Sequence, residues 1–287
     1  MHLSWFTYAV FAMICFGIGS AIHKMPAARG QNSFVASVWS VVIPFLLGLI
    51  FFWRSLAYVS GRLLLISVAW ALCFSISRYL YFEIFRHADI NFVTPFTAVV
   101  QLILTSLVGI LFFHDQINLY QGIGILLSIA IAFAFMKKKA GFSYPSIVGW
   151  LLFIVTISSM GYKIFQKLGA SSFDLEAFLI LQFAFSSLFL ILLFAIAHRN
   201  EVRQWHRHLS GGGAATGMVM GAFSFVGGYA YNAALASGPF SLVNVIYSLY
   251  ILVGVALGYF LYKEELTRKK IALIVLAVVA IVLIRLG

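Results

Sequence analysis

Gly109-Ile-Leu-Phe-Phe-His-Asp-Gln-Ile-Asn118 is answered 149 positions later by Gly258-Tyr-Phe-Leu-Tyr-Lys-Glu-Glu-Leu-Thr267. Acid falls on acid at Asp115 and Glu264, branched aliphatic on branched aliphatic at Ile117 and Leu266, and one helix-capping residue on another at Asn118 and Thr267. Upstream, Tyr79-Leu80-Tyr81 matches Tyr229-Ala230-Tyr231 at an offset of 150. The chain therefore reads as a duplication. Around the repeats run apolar stretches long enough to cross a bilayer, which takes about 20 residues. They fall at 3–22, 33–53, 63–85, 92–113, 118–136, 146–168, 175–197, 212–235, 241–262 and 269–286.

Ten spans in two blocks of five put an odd number in each half, so the second half enters the membrane from the opposite side. The expected fold is all-α: ten transmembrane helices in two inverted five-helix repeats, residues 1–139 and 140–287. Inverted repeats are a recurring plan of secondary transporters, whose single site lies at the midplane between halves that rock against each other.

Composition excludes most other classes. The 287 residues are 63% hydrophobic and 9% charged, with a mean hydropathy of +1.03, far more apolar than a soluble domain. The first stretch lacks a basic region before it and a small-residue cleavage site after it, so it reads as a retained helix. Cys15 and Cys73 fall within spans and read as packing residues. Thirteen basic residues follow odd-numbered spans, among them Lys137, Lys138, Lys139, Arg199, Arg203 and Arg207, against four on the other side, Arg54, Arg62, Lys167 and Arg285. By the positive-inside rule the odd connections are cytoplasmic and both termini outside. The net charge of +11 thus orients the chain in a membrane and is not a nucleic-acid patch.

Ionisable groups deep in a span are costly and become functional candidates. Arg78, about 6 Å past the middle of the third span at 1.5 Å per residue, reads either as an anion or carboxylate clamp or as a structural arginine. Its planar fork suits the first role. Lys163 in the sixth span is a second candidate, with a stem long enough to reach the interface. Glu83 is the one carboxylate placed within a span, so coupling to protons through an acid would use it, unless Arg86 and His87 pair with it along the helix. Trp39, Tyr79, Thr94, Thr97, Gln101, Gln182, Tyr229, Asn232, Asn244, Tyr247 and Tyr250 are the neutral groups able to line a cavity. Of these Gln101, mid-span, needs a hydrogen-bond partner. Asp115 and Glu264 read as acids favouring the N-terminus of the helix that follows each hairpin. Gly217 and Gly221 suggest close helix packing, and Gly227-Gly228 a bend. Nucleophile-elbow, zinc-protease and phosphate-loop patterns do not occur. No catalytic residue, metal or cofactor is expected, and the chain does not read as an enzyme.

These residues resemble the drug/metabolite transporter superfamily, specifically the EamA-type ten-helix permeases. The resemblance spans the whole chain and rests on the five-plus-five plan and the two hairpins, similar to the family's Gly-Glu-x-Leu-Thr. Thr94-Pro95-Phe96, Gly238-Pro239-Phe240-Ser241 and Phe16-Gly17 with Lys24 add to it. Phe16 stands where the family often has tryptophan, the second span lacks an arginine often found there, and Val245 lies near the usual proline. The resemblance implies alternating-access transport of a small organic metabolite, most commonly export of an amino-acid-like solute. It also implies a multi-pass protein of the plasma (bacterial inner) membrane, with small-molecule substrate and bilayer as its partners; a monomer is one option for its unit, and the oligomeric state stays open. It further implies cytoplasmic termini, against the charge count, and orientation stays open. A passive pore or facilitator, or a non-transport membrane scaffold, is the alternative function.

Overall fold

The computed structural model describes residues 4–28, 33–87, 90–135, 146–197, 212–262 and 267–286. Every described element is helical. In chain order they are α1 (Trp5–Ala28), α2 (Ser33–Phe52), a 3-10 helix (Trp53–Tyr58), α3 (Gly61–His87), α4 (Ile90–Phe112), α5 (Leu119–Phe135), α6 (Ser146–Ser172) and α7 (Leu175–Ala197), then α8 (Gly212–Ser237), α9 (Phe240–Ser248), α10 (Tyr250–Tyr262) and α11 (Arg268–Leu286). Each expected apolar segment coincides with a helix, and the ninth with two. In lipid only a helix or a closed barrel satisfies its own backbone hydrogen bonds, and no strand occurs among the described residues.

Among the described residues, six stretches are long and apolar enough to cross a membrane: α1, α2, α3, α6, α7 and the run through α9 and α10. Shorter apolar helices lie at Phe96–Phe112 and Leu119–Ala134. Large apolar side chains point outward, with Ile196 80% exposed, Phe112 and Phe260 75%, and Leu65 74%. A water-soluble surface does not carry patches of this kind. The protein is an integral, multi-pass membrane protein, and these side chains face lipid.

Packing follows small residues. α8 lies along both α1 and α2. Gly217 meets the Ala36 carbonyl and Trp39, Gly221 meets Ile43, and Gly227 meets Cys15 and Phe16. Gly217-x-x-x-Gly221 is thus a contact stripe against α2. α8 continues as one helix through Gly227-Gly228, from Gly212 to Ser237. α3 packs on α6 and α7, α2 on α7, α4 on α6 and α9, α5 on α11, and α1 on α9 and α10.

The break falls instead in the ninth span, at Leu249. Its φ of −73° and ψ of 0°, with its N–H bonded to the Ile246 and Tyr247 carbonyls, mark a tightened turn. Neither glycine nor proline causes it. Ser248 Oγ donates to the Val245 carbonyl at 2.7 Å, the local side-chain bonding that competes with a regular helix.

Several connections meet at one end of the bundle. There Trp5 packs on Gly238, Ser55 Oγ donates to Glu176 Oε2 at 2.7 Å, and Arg285 lies 5.2 Å from the Phe6 ring. Helix starts at this end are capped locally. Asn118 Oδ1 accepts from the Gln121 N–H at 3.0 Å while Gln121 Oε1 accepts from the Asn118 N–H at 3.1 Å, a reciprocal capping box. Asp174 Oδ1 accepts from the Ala177 N–H at 2.8 Å.

Candidate functional site

Three polar assemblies cross the interior, and they differ in what they leave unsatisfied. The first is a chain of amides. Trp70 Nε1 donates to Gln166 Oε1 at 3.2 Å, Gln166 Nε2 to Asn232 Oδ1 at 2.8 Å, and Asn232 Nδ2 to Gln182 Oε1 at 3.5 Å. It stitches α3, α6, α8 and α7 together, and all four residues are buried. Asn232 and Gln182, cavity-lining candidates from the sequence, therefore spend their amides on each other and on Gln166. Buried amides bonded in series rigidify a bundle.

The second lies at the helix break, where tyrosines from three helices converge. Tyr231 of α8 donates its hydroxyl to Asn244 Oδ1 at 2.7 Å and lies 4.6 Å from Tyr247, ring centroid to centroid. Tyr247 in turn lies 5.4 Å from Tyr250 and 5.1 Å from Phe16. Two cations enter this cluster. Lys163 of α6 is 3% exposed, with Nζ 5.9 Å from the Tyr247 ring centroid. Arg78 of α3 lies within electrostatic reach of Tyr162, Tyr247 and Tyr250. Neither cation has a hydrogen bond or ion pair to any described residue. Arg78, Tyr162, Tyr247 and Tyr250 are only half-buried, so the cluster keeps an open side.

The remaining candidates separate into neighbours and outliers. Gln101 lies one turn along α4 from Thr97, whose Oγ1 accepts from the Tyr81 hydroxyl at 2.8 Å, and its amide is within reach of that hydroxyl. Tyr79 and Trp39 instead pack in a separate cluster around Val38 and Leu190. The Trp39 indole nitrogen is buried without an acceptor among the described residues. Tyr229 stacks on Phe52 at 5.6 Å and belongs with Leu179, Phe183 and Phe225, away from Arg78. Glu83 lies on α3 beyond Arg78 and is half-buried. The side chains of Thr94, Arg86 and His87 fall outside the described residues, as does Glu264.

The third assembly was not anticipated from the sequence. Asp115 Oδ2 accepts from the Ser241 N–H at 2.7 Å and from Ser241 Oγ at 2.6 Å. The residue expected to favour its own following helix instead caps α9, whose N-cap, Pro239, makes no side-chain cap bond. Asn118 already serves α5. The approach is close enough that a Cβ at Gly109 would stand 2.5 Å from Asp115 Oδ2. His114, at φ 54°, takes the left-handed conformation that turns Asp115 toward α9. On the other side of the same turn, Lys167 Nζ donates to the Leu235 and Gly238 carbonyls at 2.6 and 2.9 Å. Lys167, counted from sequence as a loop cation, is a C-terminal cap for α8.

Residues 146–286 match the EamA-like transporter family. A crystal structure, named simply as that of a protein, superposes with a TM-score of 0.73 at 12% identity, covering 96% of each chain. At that identity the likeness concerns the fold alone. No curated protein matches the chain.

Proposed function

From the premise that residues 146–286 are an EamA-like transporter half, we propose that the protein is a secondary transporter moving a small organic metabolite by alternating access. Its site lies among α3, α6 and the broken ninth span. Arg78 carries this reading: a guanidinium deep in a span, half-buried, facing tyrosines and bonded to no described acid or carbonyl. Such a group should find a partner, and a cargo carboxylate is one. Discontinuous helices mark binding sites in many transporter folds, and the break at Leu249 falls beside Tyr247 and Tyr250. The family resemblance adds an amino-acid-like cargo, export, and the bacterial inner membrane.

The pairing of helices supports two inverted halves, 1–139 and 140–287. Take α9 and α10 together as the ninth span and α11 as the tenth. Exchange of each helix with the one five positions on then carries α1–α8 into α6–α3, α2–α8 into α7–α3, and α1–ninth into α6–α4. The contacts α2–α7, α4–ninth and α5–tenth map onto themselves. A pseudo-two-fold axis requires this pattern. The proximity of Arg285 to Phe6 fits an even number of crossings.

Counterflow in proteoliposomes tests the mechanism. Vesicles preloaded with unlabelled cargo are expected to accumulate labelled cargo transiently above equilibrium, as a carrier does. Simple equilibration with no overshoot would favour the pore. Orientation has its own test. Charge in short loops resists translocation, so a reporter fused after Gly287 is expected on the outer side, and a cytoplasmic signal from functional protein would establish the opposite orientation.

A further inference from the structure

We infer that the cargo is a dianion, with one negative charge meeting Arg78 and the other Lys163. The inference rests on the transport reading above and, within the class of small organic metabolites, replaces the amino-acid-like cargo that the resemblance implies with a dianion lacking an ammonium. Lys163 Nζ of α6 lies 5.9 Å from the Tyr247 ring centroid, Arg78 of α3, the helix packed along α6, lies within electrostatic reach of the same tyrosine, and neither has a counter-charge among the described residues. The described acids are engaged elsewhere: Asp115 with Ser241, Asp174 with the Ala177 N–H and Glu176 with Ser55. Glu83 shares α3 with Arg78, but five residues along a helix is about 140° around the axis at 3.6 residues per turn, which puts it on another face.

Two uncompensated like charges at one largely apolar site, Lys163 buried and Arg78 half-buried, are unfavourable, and a ligand with two negative charges relieves both. A cargo with a single carboxylate would leave one cation bare. An ammonium group on the cargo would add a third positive charge to a site where Lys163 already faces the Tyr247 ring. The two cations also differ in kind. The Arg78 fork suits a planar or multi-oxygen group, and Lys163 is a point charge.

Equilibrium binding to purified protein, with four small probes, decides it. Glutarate carries two carboxylates, butyrate one, glutamate two carboxylates and an ammonium, and glycerol 3-phosphate a phosphate dianion. Glutarate or glycerol 3-phosphate is expected to bind at least ten-fold more tightly than butyrate, and whichever is tighter identifies the anion as carboxylate or phosphate. Glutamate is expected to bind more weakly than glutarate. In Lys163→Met the dianion's advantage over butyrate should collapse toward unity, while Lys163→Arg, which keeps the charge, should retain it. Lys163→Met should also melt no lower than wild type, because it removes a buried bare charge; a structural lysine would melt lower. Butyrate binding as tightly as both dianions, no binding of either dianion, or an advantage that survives Lys163→Met would overturn the inference. Absence of counterflow for a dianion that binds would count against the transport reading alone.

Discussion

Arg78→Gln is expected to abolish transport while leaving membrane level and detergent melting temperature near wild type. A mid-span arginine costs about 2.5–3.5 kcal/mol on insertion scales, and here no described protein group compensates it. Glutamine removes that cost together with the clamp. Truncating one partner of a desolvated charge pair typically costs about 2–5 kcal/mol, and 1.4 kcal/mol is about ten-fold in affinity, so the loss should be on the order of 30-fold or more. Arg78→Lys should restore transport only in part, because an ammonium keeps the charge and loses the planar fork. If transport and melting temperature fall together, Arg78 is a structural residue and the clamp is wrong.

The second large effect belongs to Asp115, and it should appear in stability. Asp115→Ala deletes two hydrogen bonds to one carboxylate, at 2.7 and 2.6 Å, and leaves the Ser241 N–H at the start of α9 without a cap. Bonds to a charged group contribute about 1.5–3 kcal/mol each, so destabilisation of roughly 3 kcal/mol is expected. Asp115→Asn, which keeps an acceptor oxygen without the charge, should cost about half as much. Ser241→Ala removes only the hydroxyl, so a double-mutant cycle with Asp115→Ala should show coupling of about 1 kcal/mol or more for that bond. Strict additivity would mean that the contact contributes nothing. In the proposed division Asp115 falls in the first half and Ser241 in the second, so the bond would also tie the halves at the end of the bundle where Trp5 packs on Gly238. Opening of that end in a transport cycle should break it, and Asp115→Ala should raise cysteine-reagent labelling of a cysteine placed at Ser241. Unchanged labelling would argue that this end does not open there.

Helix positions were legible in the sequence because spanning a bilayer is a local demand: an unbroken apolar run and satisfied backbone groups suffice. The capping role of Asn118 was legible for the same reason, since it depends on neighbours a few residues away, whereas the spacing of Gly217 and Gly221 announced a packing stripe without its partner, α2. The likeness of the two hairpin segments, on which the proposal of two halves rests, is likewise a feature of the sequence alone. Tertiary structure alone decided which polar residues share a site. Tyr79 and Tyr229 are matched in the sequence at an offset of 150, yet neither joins the tyrosines around Lys163, because each packs into an apolar cluster of its own. Asn232 and Gln182 look like ligands in isolation and become scaffold once Gln166 is beside them. Asp115 looks like a cap for α5 until Ser241, 126 positions away, is brought against it. Local hydrophobicity and capping act over one or two turns, whereas a side chain's role in a bundle is set by whichever helix the fold lays next to it.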